Sequence, residues 1–350
     1  MNVEEERSDD MRSRISRRQI LKGIGAVAAG AAIVPHLPML ARAGSAKYVL
    51  RLSHTHATGD TALDVYAVKF KELAAVKSGG QVDIQIFPNG QLGQEREIVQ
   101  QVQQGLCDMM ASGTAIWGTV APKIQILDLP FLFRDYDHIH KTMDGEVGAA
   151  LTKYVEERTG VRILAYYDSF GFRSVVTRNK QVKSIDDMKG LKLRTLPSPI
   201  YVKAVELMGA SPTPMAFGEV YTSLQTNVID GYEHDANTTL MQKFFEVTKY
   251  FALTQHISGV LGLTASAKSI DALPPEMKKA VMDAAKEAAV YQRKRAPEED
   301  EKSMAELKKK GMLFTAVDRK PFAAKAEPFL MSFSKDVQAD DLVKKALEVK

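Results

Sequence analysis

The sequence predicts an α/β fold arranged as two lobes, with strands that cross between them and a long helix lying across both. Three observations carry this. Short apolar strands alternate with amphipathic helices of 10–15 residues through most of the chain, the pattern of α/β architecture with mostly parallel sheets. Two strand pairs, 161–168 with 173–178 and 250–256 with 260–266, are each joined by a few residues containing a glycine, Gly171 and Gly259. Such joints suit strands that leave one sheet and enter another. After Leu273-Pro274-Pro275, a stretch rich in Ala, Lys and Glu runs from Glu276 to Lys310 without a glycine until Gly311.

The elements follow in order. Residues 48–53 read as a strand, 60–77 as a helix, and 81–87 as a strand closed by Pro88-Asn89-Gly90. A helix over 94–104 stops at Gly105, since glycine accepts the left-handed conformation that ends helices. Residues 108–112 form a short buried strand, and 146–159 a helix stopped by Gly160. Strands are predicted at 161–168, 173–178, 191–196 and 211–215, and helices at 200–208, ending at Gly209, and 217–226. Prolines at the start of the long helix suit its first turn. Pro297 should kink or break it near the middle. The predicted boundaries are residues 44–170 with about 259–298 for the first lobe, and 171–258 with about 299–350 for the second.

The first 43 residues read as a targeting segment. A polar, acidic start turns basic at Arg12 and Arg14, then comes Ser16-Arg17-Arg18-Gln19-Ile20-Leu21-Lys22 and an Ala/Gly-rich apolar run to Leu40. Ala41-Arg42-Ala43 supplies a small-x-small cleavage pattern, and cleavage after Ala46 is the other option. The pattern is that of an exported protein, and the arginine pair resembles a twin-arginine (Tat) signal, which implies export to the periplasm, in folded form. The apolar run is interrupted by Pro35 and Pro38 and is too rich in small residues for a confident membrane span.

Composition narrows the function. Of 350 residues, 45% are hydrophobic and 26% charged, a globular balance, and 47 Lys+Arg against 43 Asp+Glu leaves only +4. That near-neutrality argues against a nucleic-acid binder. The single cysteine, Cys107, excludes an internal disulfide and cysteine-rich metal sites, and its apolar context reads as a small buried hydrophobe. No Gly-x-Ser-x-Gly elbow, phosphate-binding glycine loop or His-Glu-x-x-His motif is present. His54-x-His56 and His138-x-His140 lack a matching acidic cluster, so neither metal nor cofactor is expected. Anion-binding groups stand out instead. Arg173 begins a strand and Arg194 lies near the end of one, where open α/β sheets bind ligands. Arginine's planar fork matches a carboxylate bidentately.

Two long segments sharpen this reading. Ser184-Ile185-Asp186-Asp187-Met188-Lys189-Gly190-Leu191-Lys192-Leu193-Arg194 and Gly209-Ala210-Ser211-Pro212-Thr213-Pro214-Met215-Ala216-Phe217-Gly218-Glu219-Val220-Tyr221 closely resemble signatures of the DctP-like solute-binding proteins of TRAP transporters. Leu224 to Gly231, Phe87 to Gly93 and Asp128 to Phe133 are similar to further landmarks, so the resemblance spans about residues 48–333. It implies a two-lobed periplasmic binding protein fold with hinge strands, a cleft between lobes, and a long helix spanning both. It implies that Arg194 is the principal carboxylate-binding residue, assisted by Arg173, and that Phe217 lines the cleft. Glu233-His234-Asp235 departs from the family's usual Glu-Asn, so His234 stands where an asparagine is common; its charge could titrate near neutral pH. In the first lobe the resemblance places Glu95 and the turn from Ser112 to Trp117 near the cleft. Trp117 reads either as core or as a ligand-stacking surface, and His54, at the end of the first strand, is a further candidate.

The function expected is capture of a small organic acid and delivery to the TRAP membrane subunits, small and large, by a periplasmic monomer that neither inserts in the membrane nor binds nucleic acid. No enzymatic activity is expected. The alternatives are a sensor of the same fold presenting its ligand to a membrane receptor, and a secreted α/β enzyme using His54, His56, Glu95 and Asp235.

Overall fold

A computed structural model describes residues 46–350; the targeting segment read in the sequence lies outside the described residues. The elements are β1 (Tyr48–Ser53), α1 (Ala62–Lys77), β2 (Val82–Phe87), α2 (Glu95–Gln104) and β3 (Met109–Gly113). Two 3-10 segments (Thr114–Thr119 and Pro122–Asp128) lead to α3 (Tyr136–Asp144), α4 (Glu146–Thr159), β4 (Val161–Tyr167), β5 (Arg173–Thr177), β6 (Lys192–Thr195) and α5 (Pro199–Leu207). There follow β7 (Ser211–Pro214), a 3-10 turn at Phe217–Glu219, α6 (Val220–Gln225), β8 (Gly231–His234), α7 (Ala236–Met241), β9 (Tyr250–Ile257) and β10 (Leu261–Ser266). The chain closes with α8 (Ala267–Asp271), α9 (Pro275–Lys309), β11 (Leu313–Thr315), α10 (Lys320–Asp336) and α11 (Asp340–Glu348).

Local chemistry fixes the ends. The Thr61 hydroxyl accepts from the Asp64 N–H at the start of α1. Glu97 reaches back to the Gln94 N–H at 2.9 Å to start α2, and Gly105 ends it at φ 79°.

The strands build two sheets, ordered β2-β1-β3-β10-β4 and β11-β9-β5-β8-β6-β7. They are mixed rather than mostly parallel. β1 runs parallel to β2 and β3, and β6 parallel to β7 and β8. β10 is antiparallel to both β3 and β4, and β5 antiparallel to β8 and β9. The reason lies in the joints. β4 passes from the first sheet into β5 of the second through residues 168–172, and β9 returns to β10 through 258–260. A returning strand lies antiparallel to the outgoing one without needing a helical crossover. Gly171 adopts φ +121°, where L side chains are rare, and an added Cβ would stand 2.5 Å from Asp300 Oδ1.

The 35-residue α9 spans about 52 Å at 1.5 Å per residue. Its first half buries Val281, Ala284, Ala285 and Ala288 with α1 and the first sheet. Its last turns bring Leu307 and Met304 into the core under the second sheet, beside Phe251 and Phe244. Between the two, buried Gln292 accepts from the Asp168 N–H at 3.1 Å and donates to the Asp168 carbonyl at 2.6 Å, clamping the first joint. α9 does not break at Pro297: that residue is exposed, and the backbone bond it cannot donate is missing from the solvent side.

Asp300, on α9 against Gly171, has its carboxyl pushed up to about 7 by burial, with the nearby Asp235 charge adding to it. A raised carboxylate favours the folded state at acid pH and loses that contribution as the pH rises through about 7. Asp300→Asn is therefore expected to raise the melting temperature at pH 8 by about 2–4 °C and to raise it less at pH 5, where only part of the contribution has been lost. An equal shift at both pH values would contradict this assignment.

Residues 340–350, which the sequence places with the second lobe, dock on the side of the first sheet. Val343 and Ala346 join a core with Ile98 and Leu151. The Ala346 carbonyl lies 2.7 Å from His138 Nε2, and Lys345 pairs with Glu146 at 2.7 Å. α10 begins under the second sheet, where Phe322 packs with Val175 and Leu193. Among the described residues, no helix is long and apolar enough to cross a membrane.

Candidate ligand-binding site

The two sheets place strand ends and turns around one narrow, partly open cavity; the space between protein atoms there, open solvent included, is about 470 Å³. From the second sheet come Arg173 at the first residue of β5, Arg194 near the end of β6, and His234 at the last residue of β8. Phe217 opens the turn after β7. From the first side come His56 beyond β1, Glu95 at the first residue of α2, and Gly113 at the end of β3. Ser169 and Gly259 line it from the two joints. A groove between α4, β4 and α9 is larger, about 1320 Å³ with open solvent included, but it is an open trough whose charged residues Asp144, Lys153 and Lys286 stand in solvent.

Arg194 is 1% exposed. Its Nε and Nη2 donate to a single acceptor, the Met215 carbonyl, at 3.2 and 3.0 Å. Its Cζ stands 5.7 Å from the Phe217 ring centroid. Burial lowers it to about 10, the charge of Glu95 opposing most, so it remains a cation at neutral pH. A buried guanidinium with one carbonyl partner has donors to spare, and they face the cavity.

Arg173 is committed differently. Its Nε meets Glu233 Oε2 at 2.5 Å, and its Nη2 meets Glu233 Oε1 at 2.8 Å and the Glu233 carbonyl at 2.7 Å. The Tyr201 ring lies 5.0 Å beneath its Cζ. Burial would pull Arg173 down and raise Glu233; their mutual attraction outweighs both, so Arg173 is raised and Glu233 lowered. Tyr201 in turn donates to Asp128 at 2.8 Å, and burial pushes the Asp128 carboxyl up to about 7.

Two imidazoles face the cavity. His234 Nδ1 lies 2.8 Å from Asp235 Oδ2, and Asp235 also takes the Ser169 hydroxyl at 2.7 Å and caps α7 through the Thr238 N–H at 2.6 Å. Burial, then the Arg173 charge, lowers His234 below the ordinary imidazole value, against the pull of Asp235. His56 stacks on Phe217, with centroids 5.0 Å apart and planes at 25°. Burial, then the His234 charge, lowers it to about 3. Glu95 is half-buried, and burial raises its carboxyl against the opposing arginine charges.

Five of the seven residues proposed from the sequence thus share one cavity: Arg194, Arg173, Phe217, His234 and Glu95. Two do not. Trp117 is 1% exposed and packs in the core with Ile98, Ile116 and Leu127. His54 lies behind the wall, its Nε2 3.2 Å from Asp64 Oδ1. The position read for His54 belongs to His56, because the chain turns after β1 and brings the second histidine inward. Tyr201 and Ser169 were not anticipated; Pro-Ser-Pro before a helix and a serine beside the glycine joint are the only local signals. Among the described residues, no group of three His, Cys, Asp or Glu could hold a metal ion.

Comparison with known proteins places this geometry. The family model for bacterial extracellular solute-binding proteins, family 7 (DctP), matches residues 52–336, and that for the twin-arginine translocation signal sequence matches residues 14–34. The 2,3-diketo-L-gulonate-binding periplasmic protein of Escherichia coli K12 is 39% identical over 81% of this chain and 87% of its own. The C4-dicarboxylate-binding periplasmic protein of Rhodobacter capsulatus is 33% identical over 85% of this chain and 86% of its own. The crystal structure of a TRAP periplasmic solute-binding protein from Xanthobacter autotrophicus Py2 with bound β-D-galacturonate superposes with a TM-score of 0.82. It is 29% identical and covers 86% of this chain and all of its own.

Proposed function

Because the chain belongs to family 7 of the bacterial extracellular solute-binding proteins, we propose that it captures a small organic acid between its two lobes by docking the carboxylate on Arg194. Family members are receptors rather than enzymes, and the twin-arginine signal sends this one to the periplasm. The single observation that carries the reading is the Arg194 guanidinium: buried, charged, facing a cavity, and supplied with one carbonyl where a carboxylate would fit. Each charge-assisted bond made there contributes about 1.5–3 kcal/mol. Closure around the ligand excludes water and strengthens these bonds. The lobes would be built on the two sheets, with α11 in the first. The closed receptor then passes its acid to the small and large TRAP membrane subunits and itself works as a monomer without catalysis.

The relatives' solutes include a diketo acid, a dicarboxylate and a uronate, so this reading stops at the carboxylate. Its test is a thermal-shift screen of the exported, refolded protein against organic acids. A ligand at 100 times its Kd adds about 2.7 kcal/mol. A cooperative melt that no acid raises, with no acid released from freshly purified protein on unfolding, would remove the assignment.

A further inference from the structure

Beyond the docked carboxylate, the cavity wall carries information about the rest of the ligand. Among the described residues, the side chain of His56 makes no hydrogen bond, although the residue is only 8% exposed and its Nδ1 is fully buried. It lines the cavity, stacked on Phe217. A neutral imidazole offers one N–H donor and one bare acceptor nitrogen. His234 Nδ1 lies between the Asp235 carboxylate at 2.8 Å, an acceptor, and the Asp235 N–H at 3.0 Å, a donor, so its Nε2 offers a ligand a donor or an acceptor according to the tautomer. Glu95 adds a carboxylate on the opposite side, again an acceptor when ionised.

The charges are equally specific. The cavity holds two guanidinium groups, but the Nε–Nη2 edge of Arg173 is filled by Glu233. One cation, Arg194, is open to an incoming anion. With Arg194 taken by the first carboxylate and Arg173 paired with Glu233, a second carboxylate on the same ligand would meet the Glu95 carboxylate with no further cation among the lining residues. Acceptors on a wall call for donors on the ligand, and a carboxylate has none to give.

We propose that the ligand carries one carboxylate and an uncharged, hydroxyl-bearing remainder, that His56 and Glu95 bind its hydroxyls, and that Glu95 excludes dicarboxylates. This rests on the reading of Arg194 as the carboxylate site. His56 and Glu95 then determine specificity, and Arg194 supplies general affinity for acids.

The experiment is calorimetric titration with four- to six-carbon aldonates and uronates, the aldarates matched to them carbon for carbon, succinate and malate, and unsubstituted carboxylic acids of equal length. The expected result is tight binding of a hydroxylated monoacid and a loss of about 100-fold or more for its matched aldarate. His56→Phe keeps the stack on Phe217 and removes both nitrogens. It is expected to weaken the hydroxylated acid at least about 10-fold while leaving the unsubstituted acid unchanged. Glu95→Gln, which keeps the shape of the side chain and removes its charge, is expected to shrink the aldarate penalty about 10-fold. A dicarboxylate or an unsubstituted acid that binds as well as the hydroxylated acid would overturn the inference and leave carboxylate capture intact. Failure of every acid to bind would overturn both.

Discussion

Replacing Arg194 with methionine is expected to lower the affinity for the captured acid by about 100- to 10,000-fold, the loss of two charge-assisted bonds. The ligand-free protein is expected to stay folded, with its melting temperature moved by no more than a few degrees, about 2 kcal/mol in either direction. The two halves have one cause. Arg194 is buried, yet its protein partner is a single carbonyl. The desolvation of its charge is therefore poorly compensated until ligand arrives, and a buried ion without a partner is a cost to the fold. Methionine fills similar volume without that cost and leaves the Met215 carbonyl to find water. Calorimetry gives the affinity and a thermal melt the stability. A variant that binds normally, or one that unfolds, would show that Arg194 is a structural residue.

Glu233→Ala is expected to do the opposite, lowering stability by about 3–5 kcal/mol, or on the order of 10 °C in melting temperature. It leaves Arg173, 5% exposed, without the carboxylate that fills the Nε–Nη2 edge of its fork. The double variant Arg173→Met/Glu233→Leu should recover much of the loss, since apolar pairs often replace buried ion pairs at little cost. The pH dependence has a definite sign. Burial works to raise Glu233, and Arg173 overrides it, so the folded carboxyl lies below its ordinary value. Its contribution is present at neutral pH and is lost as the pH falls below the ordinary carboxylate range. Glu233→Ala should lose less stability on acidification than the parent. Equal acid sensitivity would mean that the pair does not govern stability there.

Much of this was legible in the sequence. The strand–helix alternation, the glycine joints and the long helix each leave a periodic or punctuating signal, and the structure contains all three. β8 leaves none: its four residues, Gly231–His234, are buried on both faces, yet two of them are polar, because they serve the cavity and the Arg173 pair. β11 is three residues long, too short for a period to register. At the site, strand ends drew attention to Arg173 and Arg194. What no spacing reveals is that one guanidinium is already neutralised within the protein and the other is not. The difference depends on a pairing between residues sixty positions apart. The exchange of His54 for His56, and the burial of Trp117, likewise turn on how a loop and a 3-10 segment fold back, where no regular repeat guides the reading.

The position of β10 has a consequence for how the molecule is made. This strand lies inside the first sheet, with Leu261 opposite Gly113 of β3 and Tyr167 of β4. Until it arrives, β3 and β4 each present an open edge, and such edges pair with the wrong partners. About 100 residues separate the end of β4 from the end of β10, which at about 5–20 residues per second is roughly 5–20 s of ribosome time. The first sheet therefore cannot be completed until about three quarters of the polypeptide, through Ser266 of 350 residues, has emerged. A secretion path that threads chains as they are made would deliver these open edges across the membrane. The twin-arginine signal at residues 14–34 implies a path that waits for the finished fold, and the late central strand is a physical reason for waiting.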